Sequence, residues 1–460
     1  MDTDDVVYIG LLILCIFFGH FYRTFFEDIY HKKWISTIFG LAIIHAVSGN
    51  HILHPILCVL INAVIITRVH YKYCHIISFI VSFIYLLFFR TTQYFGIEYP
   101  PAHTNAVQMM LTLKVVGLAF EVHDAAEIIE KNKGNELVHE SLKKPIGIMD
   151  MFHYSFCYIG CLTGPYYRYR TYWDMLHSPF TKYAPCLDAT FQRIKYVPLY
   201  AALYLITAHF FPLKYSETEE FYEERSVLYR TFFLTPCLFN FRLRIYIGFV
   251  LAECVCTMAG LGAYPVASDP RSGNGPLKYE VVDEIAGDEK RMKTEDYNFE
   301  AIHNIDPYGC EFVRTFRTAM KCWNMTVQYW LAIYVYKRVT IKPLRTAVTM
   351  FVSSLWHGVY AGYYLCLCSV PFLLPTEDLW DKLYRQEATG WKRTVIDCIF
   401  HFFRVQAFSY MGIAFLLLRI DATLSYWKSI YFIGNVVCAL FYVVGIIIQK
   451  RRKRLRAKEE

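Results

Sequence analysis

The chain has 460 residues, 55% of them apolar and 19% charged, with a formal net charge of +7. A water-soluble protein of this length needs one large core, not a succession of separate apolar runs, so the composition excludes an ordinary soluble enzyme and indicates a multi-pass membrane protein. The basic excess flanks apolar runs, which favours the lipid bilayer, anionic headgroups or a phosphate-bearing substrate as partners and excludes nucleic acid.

Roughly ten runs are long and apolar enough to be membrane helices, at 6–20, 34–47, 52–66, 75–89, 106–120, 196–211, 231–259, 344–374, 395–418 and 430–448. The fold class is therefore all-α, and a single integral-membrane domain is expected over 1–460. The first five residues, MDTDD, are acidic where a cleavable signal is basic, so the first run is expected to stay as a signal anchor. The tail at 449–460, QKRRKRLRAKEE, is the densest basic cluster and predicts a cytosolic C-terminus. With the N-terminus lumenal, the number of crossings is odd, and about nine to eleven helices are expected. The terminal RAKEE also loosely resembles a dibasic endoplasmic-reticulum retrieval signal, against the simpler reading of a solvated tail that fixes topology.

Between the runs, residues 267–308 are polar, mixed in charge and begin with proline and glycine, which predicts a solvated loop. Shorter polar stretches lie at 127–144 and 215–225. Aromatic clusters such as YFGIEYPP and YYRYRTYW are expected to form interfacial belts at helix ends. Two segments are not simple spans. The run at 106–120, with its flanks, carries Asn105, Gln108, Thr112 and Lys114, too polar to face lipid all round. The segment 321–338 has about sixteen apolar-leaning residues, ~24 Å as a helix against a ~30 Å hydrocarbon core; it is expected to tilt, re-enter or lie within the bundle. The fifteen cysteines form no CxxC pair, so they read as small buried hydrophobes and not as a disulfide or metal framework.

Two polar constellations stand out. In WNMTVQYWL, Asn324 and Gln328 are four apart and are expected to share a helix face beside Trp323. An amide stripe in apolar surroundings needs a partner. In SSLWHGVYAGYY, His357 lies near the middle of the run at 344–374, with Ser353 four and Ser354 three residues before it. Gly358 and Gly362 form a GxxxG pair that admits a close neighbour. A neutral histidine in a cavity can act as a general base, and a nearby amide can orient the ring or stabilise an oxyanion; helix packing or a proton relay would equally place a histidine there. Asn324-Met325-Thr326 is also a formal glycosylation sequon, in surroundings too apolar for attachment. Arg168 and Arg170 in GPYYRYR, and Arg242 and Arg244 in FNFRLRIYIGF, are candidate contacts for substrate phosphates, with snorkelling or topology anchoring as the alternative.

WHGVYAGYY, preceded some thirty residues earlier by WNMTVQYWL, resembles the membrane-bound O-acyltransferase (MBOAT) family. Further blocks, YLLFFR (85–90), TNAVQMMLTLK (104–114), YIGCLTGPYYRYRTYWDML (158–176), AGLGAYPVA (259–267), FEAIHNID (299–306) and SYWKSIYF (425–432), are similar to its lysophosphatidylinositol acyltransferase subfamily. The sequence departs from the pattern at Tyr360-Ala361, where a His-Pro pair follows WHG. The resemblance implies an MBOAT-type helical bundle enclosing a catalytic chamber, with His357 and Asn324 as the catalytic pair. It implies acyl transfer from acyl-CoA, as co-substrate, to the sn-2 hydroxyl of lysophosphatidylinositol, with arachidonoyl-type chains preferred, in the endoplasmic-reticulum membrane. On this reading Gln328, Ser354, Trp323 and the four arginines are candidate substrate-binding residues, and neither a metal nor a further cofactor is required. An MBOAT enzyme with another acceptor remains open, as does a proton-coupled transporter or channel; the latter predicts paired intramembrane carboxylates, whereas Glu253 is the only carboxylate deep in a long apolar run.

Overall fold

The computed structural model describes residues 3–132 and 138–459. The start of the acidic N-terminus, residues 133–137 of the polar stretch at 127–144, and the last residue of the basic tail lie outside the described residues. Among the described residues the regular structure is helical except for one short antiparallel pairing, Tyr264–Pro265 with Tyr297–Asn298, and an isolated bridge between Arg271 and Gly275. Among the described residues, seven helical segments are long and apolar enough to cross a membrane: Asp5–Phe25, Ile29–Arg68, Tyr71–Phe89, Ala102–Lys131, Cys186–Glu217, Gly390–Leu417 and Ile433–Ala457.

That number differs from the expected nine to eleven for identifiable reasons. Ile29–Arg68 joins two of the predicted runs through a tight turn at Gly49–Ile52. The run at 231–259 forms a single 33-residue helix, Val227–Ala259, but Arg242, Arg244 and Glu253 lower its hydropathy. The run at 344–374 breaks into Arg345–His357, Ala361–Leu367 and Val370–Trp380. The breaks fall at Gly358–Tyr360 and at Cys368–Ser369, just before a helix with Pro371 in its first turn, and window averaging reads across both.

The chain divides into two compact units. One comprises the residues up to Pro198 with Tyr246–Ile305 and Asn324–Arg338; the other comprises Leu199–Ile245, Asp306–Trp323 and the chain from Val339. In the first unit the helix Ala102–Asn132 is the axis. Gln108, Thr112, Lys114 and Glu121 on it are all buried, as its polar composition predicts. Lys114 Nζ donates to the Tyr167 hydroxyl at 2.9 Å and lies over the Tyr167 ring, 4.5 Å from its centroid. A buried ammonium is tolerated when a hydroxyl and an aromatic face replace its water shell.

Residues 267–308 are not a solvated loop. They carry the helices Tyr279–Ala286 and Glu289–Thr294, whose Val282, Ile285 and Met292 close a small core with Phe180. Nor do the aromatics of YYRYRTYW form an interfacial belt: Tyr166, Tyr167, Tyr169 and Tyr172 are buried in the same unit. In the second unit, a core of Phe221, Phe233, Phe316, Tyr410, Tyr426 and Trp427 packs the ends of several helices together. Ten of the fifteen cysteines are buried and all are free thiols, as their spacing predicts.

Candidate active site

His357 is the last residue of the helix Arg345–His357, not the middle of a span. The helix ends because Gly358 turns to extended backbone (φ 161°, ψ −170°), its N–H still bonded to the Ser354 carbonyl at 3.0 Å. Glycine is needed there for space: a Cβ would run into the Tyr363 ring. The imidazole sits half-buried among aromatics, with ring centroids 4.9 Å from Trp356, 5.0 Å from Phe415 and 5.8 Å from Tyr363. Ser354 directs its hydroxyl into its own helix, donating to the Met350 carbonyl at 2.9 Å, so sequence proximity to His357 is not a hydroxyl–imidazole pair.

The expected GxxxG wall is divided by the turn. Gly358 faces Tyr363, whereas Gly362, on the next short helix, lies against the backbone of Ala414 and Leu418 and donates its N–H to the Leu418 carbonyl at 2.8 Å. Tyr360 is the N-cap of that helix and Ala361 its first residue. Proline is favoured at a first helical position because its missing N–H would be unpaired there in any case, and alanine, a good helix former, suits the same position.

Asn324 also differs from its sequence expectation. It does not share a helix face with Gln328; it is the N-cap of the helix Met325–Leu331 in left-handed conformation (φ 47°, ψ 51°), a region asparagine tolerates better than most residues. Its carbonyl accepts from the Gln328 N–H at 3.0 Å, while its side chain makes no capping hydrogen bond. The capping is done from elsewhere in the unit. The Asn304 carbonyl accepts from Met325 N at 2.7 Å, and Asn304 Oδ1 accepts from Thr326 N at 3.2 Å and Thr326 Oγ1 at 2.7 Å. Thr326 Oγ1 in turn accepts from Tyr166 N at 3.1 Å, an arrangement in which the sequon threonine is buried. The helix continues from Leu331 into a π turn at Ala332–Tyr336, and the segment is as short as expected. Trp323, half-buried, immediately precedes Asn324.

Sequence reasoning missed Asn304 as the cap of the helix that follows Asn324. Its signal was the FEAIHNID block together with Glu253, the single carboxylate in an apolar run. Glu253 Oε1 accepts from Asn304 N at 2.7 Å and Ile305 N at 3.0 Å, and Oε2 pairs with Arg193 Nε at 3.2 Å. A buried carboxylate is tolerated with two backbone donors and a guanidinium around it.

The candidate phosphate-binding arginines are engaged within the protein. Arg168 Nε faces Glu121 Oε2 at 3.3 Å, and its Nη1 lies near Asn274 Oδ1 and the Tyr329 hydroxyl. Arg170 donates to the Asn274 carbonyl at 2.8 Å and stacks 4.6 Å from the Tyr279 centroid. Arg242 makes a bidentate pair with Glu311 at 2.7 and 2.9 Å. Arg244, on the same helix, is exposed. Arg168, Arg170 and Arg242 thus each have partners within the protein.

The described chain is a mainly helical membrane architecture in which His357 ends one helix beside a glycine and Asn324 begins another. The membrane-bound O-acyltransferase family model matches residues 89–419, and the chain belongs to that family and is an acyltransferase. It is 42% identical, over 98% of its length and 94% of the relative's, to membrane-bound acylglycerophosphatidylinositol O-acyltransferase frj of Drosophila melanogaster. It is 36% identical to the protein of the same description, mboat7, from Xenopus laevis, over 100% of this chain and 98% of that one. Identity to the Homo sapiens protein MBOAT7 is also 36%, over 94% and 91% of the two chains.

Proposed function

We propose that the protein transfers a long-chain acyl group from acyl-CoA to the sn-2 hydroxyl of lysophosphatidylinositol, with polyunsaturated, arachidonoyl-type chains preferred. The observation that carries the acceptor is end-to-end similarity, 42% over 98% of the chain, to a relative named for acylglycerophosphatidylinositol O-acylation. The catalytic pair is His357 and Asn324. The His357 imidazole takes the proton of the acceptor hydroxyl as its oxygen attacks the thioester carbonyl. The tetrahedral intermediate collapses with loss of CoA thiolate, which takes up the proton from the imidazolium. The Asn324 carboxamide orients the hydroxyl or donates to the developing oxyanion. No covalent enzyme intermediate is formed, and acyl-CoA serves as co-substrate with no resident cofactor. The proposed location is the endoplasmic-reticulum membrane with the C-terminus cytosolic, in keeping with the basic helix end at 450–456.

Gln328, Trp323 and Ser354 are proposed as neighbours of bound substrate. Arg168, Arg170 and Arg242 bear on substrate only through the networks they hold. The test is kinetic. His357→Ala is expected to lower kcat by about 100-fold or more with membrane insertion and purification yield unchanged; turnover within about twofold of wild type would overturn the assignment.

A further inference from the structure

Asparagine is among the best N-cap residues because its side chain accepts a hydrogen bond from the second or third amide of the helix. Asn324 stands at the N-cap yet makes no such bond, and its left-handed backbone sets it apart from the extended conformation of an ordinary cap. The first amides of the helix would otherwise be unpaired in a buried setting. Asn304 satisfies two of them, Met325 N through its main-chain carbonyl and Thr326 N through Oδ1. Its own position is fixed by Glu253, which accepts the N–H groups of Asn304 and Ile305 and is itself held by Arg193. Asn304 and Thr326 are both buried.

We propose that Asn304 is a positioning residue: it caps the Met325–Leu331 helix in place of Asn324, and so keeps the Asn324 carboxamide out of the cap and directed to the reaction. This rests on the catalytic reading of Asn324. It has a consequence that a purely structural role lacks. When Asn304 loses its side chain, Thr326 N loses its acceptor and Asn324 is drawn from the left-handed to the extended conformation of an ordinary cap to accept from it, so the helix keeps a cap while the carboxamide is withdrawn. Fold stability and substrate affinity then persist, and turnover does not.

The experiment compares purified full-length wild type, Asn304→Ala, Thr326→Val, Thr326→Ser and Asn324→Ala, measuring kcat, KM for both substrates, and the melting temperature in detergent. For Asn304→Ala the expected result is a fall in kcat of about 100-fold, with both KM values within about twofold and little change in melting temperature. Thr326→Val keeps the Thr326 N–H bond to Asn304 but removes the hydroxyl that orients Asn304 Oδ1 and leaves Tyr166 N unpaired; it is expected to lower turnover together with some loss of melting temperature, and Thr326→Ser to restore both. Should Asn304→Ala not fold, the Thr326→Val and Thr326→Ser pair decides the matter. Wild-type kcat in Asn304→Ala or in Thr326→Val, or loss through KM alone, would overturn the proposal while Asn324→Ala remains inactive. An active Asn324→Ala instead overturns the catalytic reading of Asn324 on which the proposal rests.

Discussion

At the scale of single residues, the proposed chemistry depends on side chains whose neighbours limit what they can do. His357 has aromatic rings on three sides, and Gly358 is small so that Tyr363 can approach. Gly358→Ala is expected to displace the Tyr363 ring and lower kcat by about tenfold or more, by analogy with the cost of small misplacements near a reacting group; an unchanged rate would mean that Tyr363 does not shape the site. His303 offers a pH test outside the membrane spans. Burial works against its proton, but the hydrogen bond it donates to Glu300 and the charges of Glu253 and Glu300 prevail, raising its pKa to about 9. Because the folded value lies above the ordinary 6.5, the stabilisation is fully present below about pH 6.5 and lost as pH rises through about 9. The melting temperature is expected to be lower at pH 9.5 than at pH 6.5, with His303→Gln reducing the difference; a difference unaltered by that substitution would contradict the assignment. Sequence spacing singled out His357 and Asn324 as polar groups within apolar stretches of sequence. It misjudged their settings for two different reasons: Asn324 stands outside the helix that carries Gln328, in a left-handed cap, and Ser354, although on the same helix as His357, turns its hydroxyl to the Met350 carbonyl.

At the scale of elements, the run at 344–374 is the clearest lesson. Hydropathy averages over a window and registers apolar length, whereas the chain is broken after His357 and again at Cys368–Ser369 into three helices. The middle helix is held by Gly362, where a Cβ would collide with the Ala414 carbonyl oxygen and with Leu418 backbone. Backbone cannot yield as a flexible side chain can, so Gly362→Ala is expected to cost about 2–3 kcal/mol, read as a lower melting temperature in detergent; wild-type stability would show that the helices separate freely. Residues 267–308 mislead in the opposite direction. Their polar composition reads as solvated loop, yet Val282, Ile285 and Met292 recur at intervals that bury one side of two short helices. Their contribution to the candidate site, through Asn304, comes from contacts between residues far apart in sequence, which spacing does not encode.

At the scale of the whole molecule, composition was sufficient for the class: apolar helices, few strands and free buried thiols all follow from the sequence. The family is established by the matched model and by relatives similar along nearly the entire chain, and membership excludes the reading as a transporter or channel. The basic residues at 450–456 argue for a cytosolic C-terminus. A tag placed there is expected to be cleaved by protease added to sealed endoplasmic-reticulum vesicles; protection until detergent is added would reverse the orientation. The central claim is the acceptor. Its most direct test is mass-resolved product analysis after purified protein is offered an equimolar mixture of lysophosphatidylinositol, lysophosphatidylcholine and lysophosphatidylserine with mixed acyl-CoAs. The expected product is predominantly phosphatidylinositol carrying a new polyunsaturated sn-2 chain, absent with His357→Ala. Equal acylation of the three lysolipids, or preferential acylation of another headgroup, would contradict it.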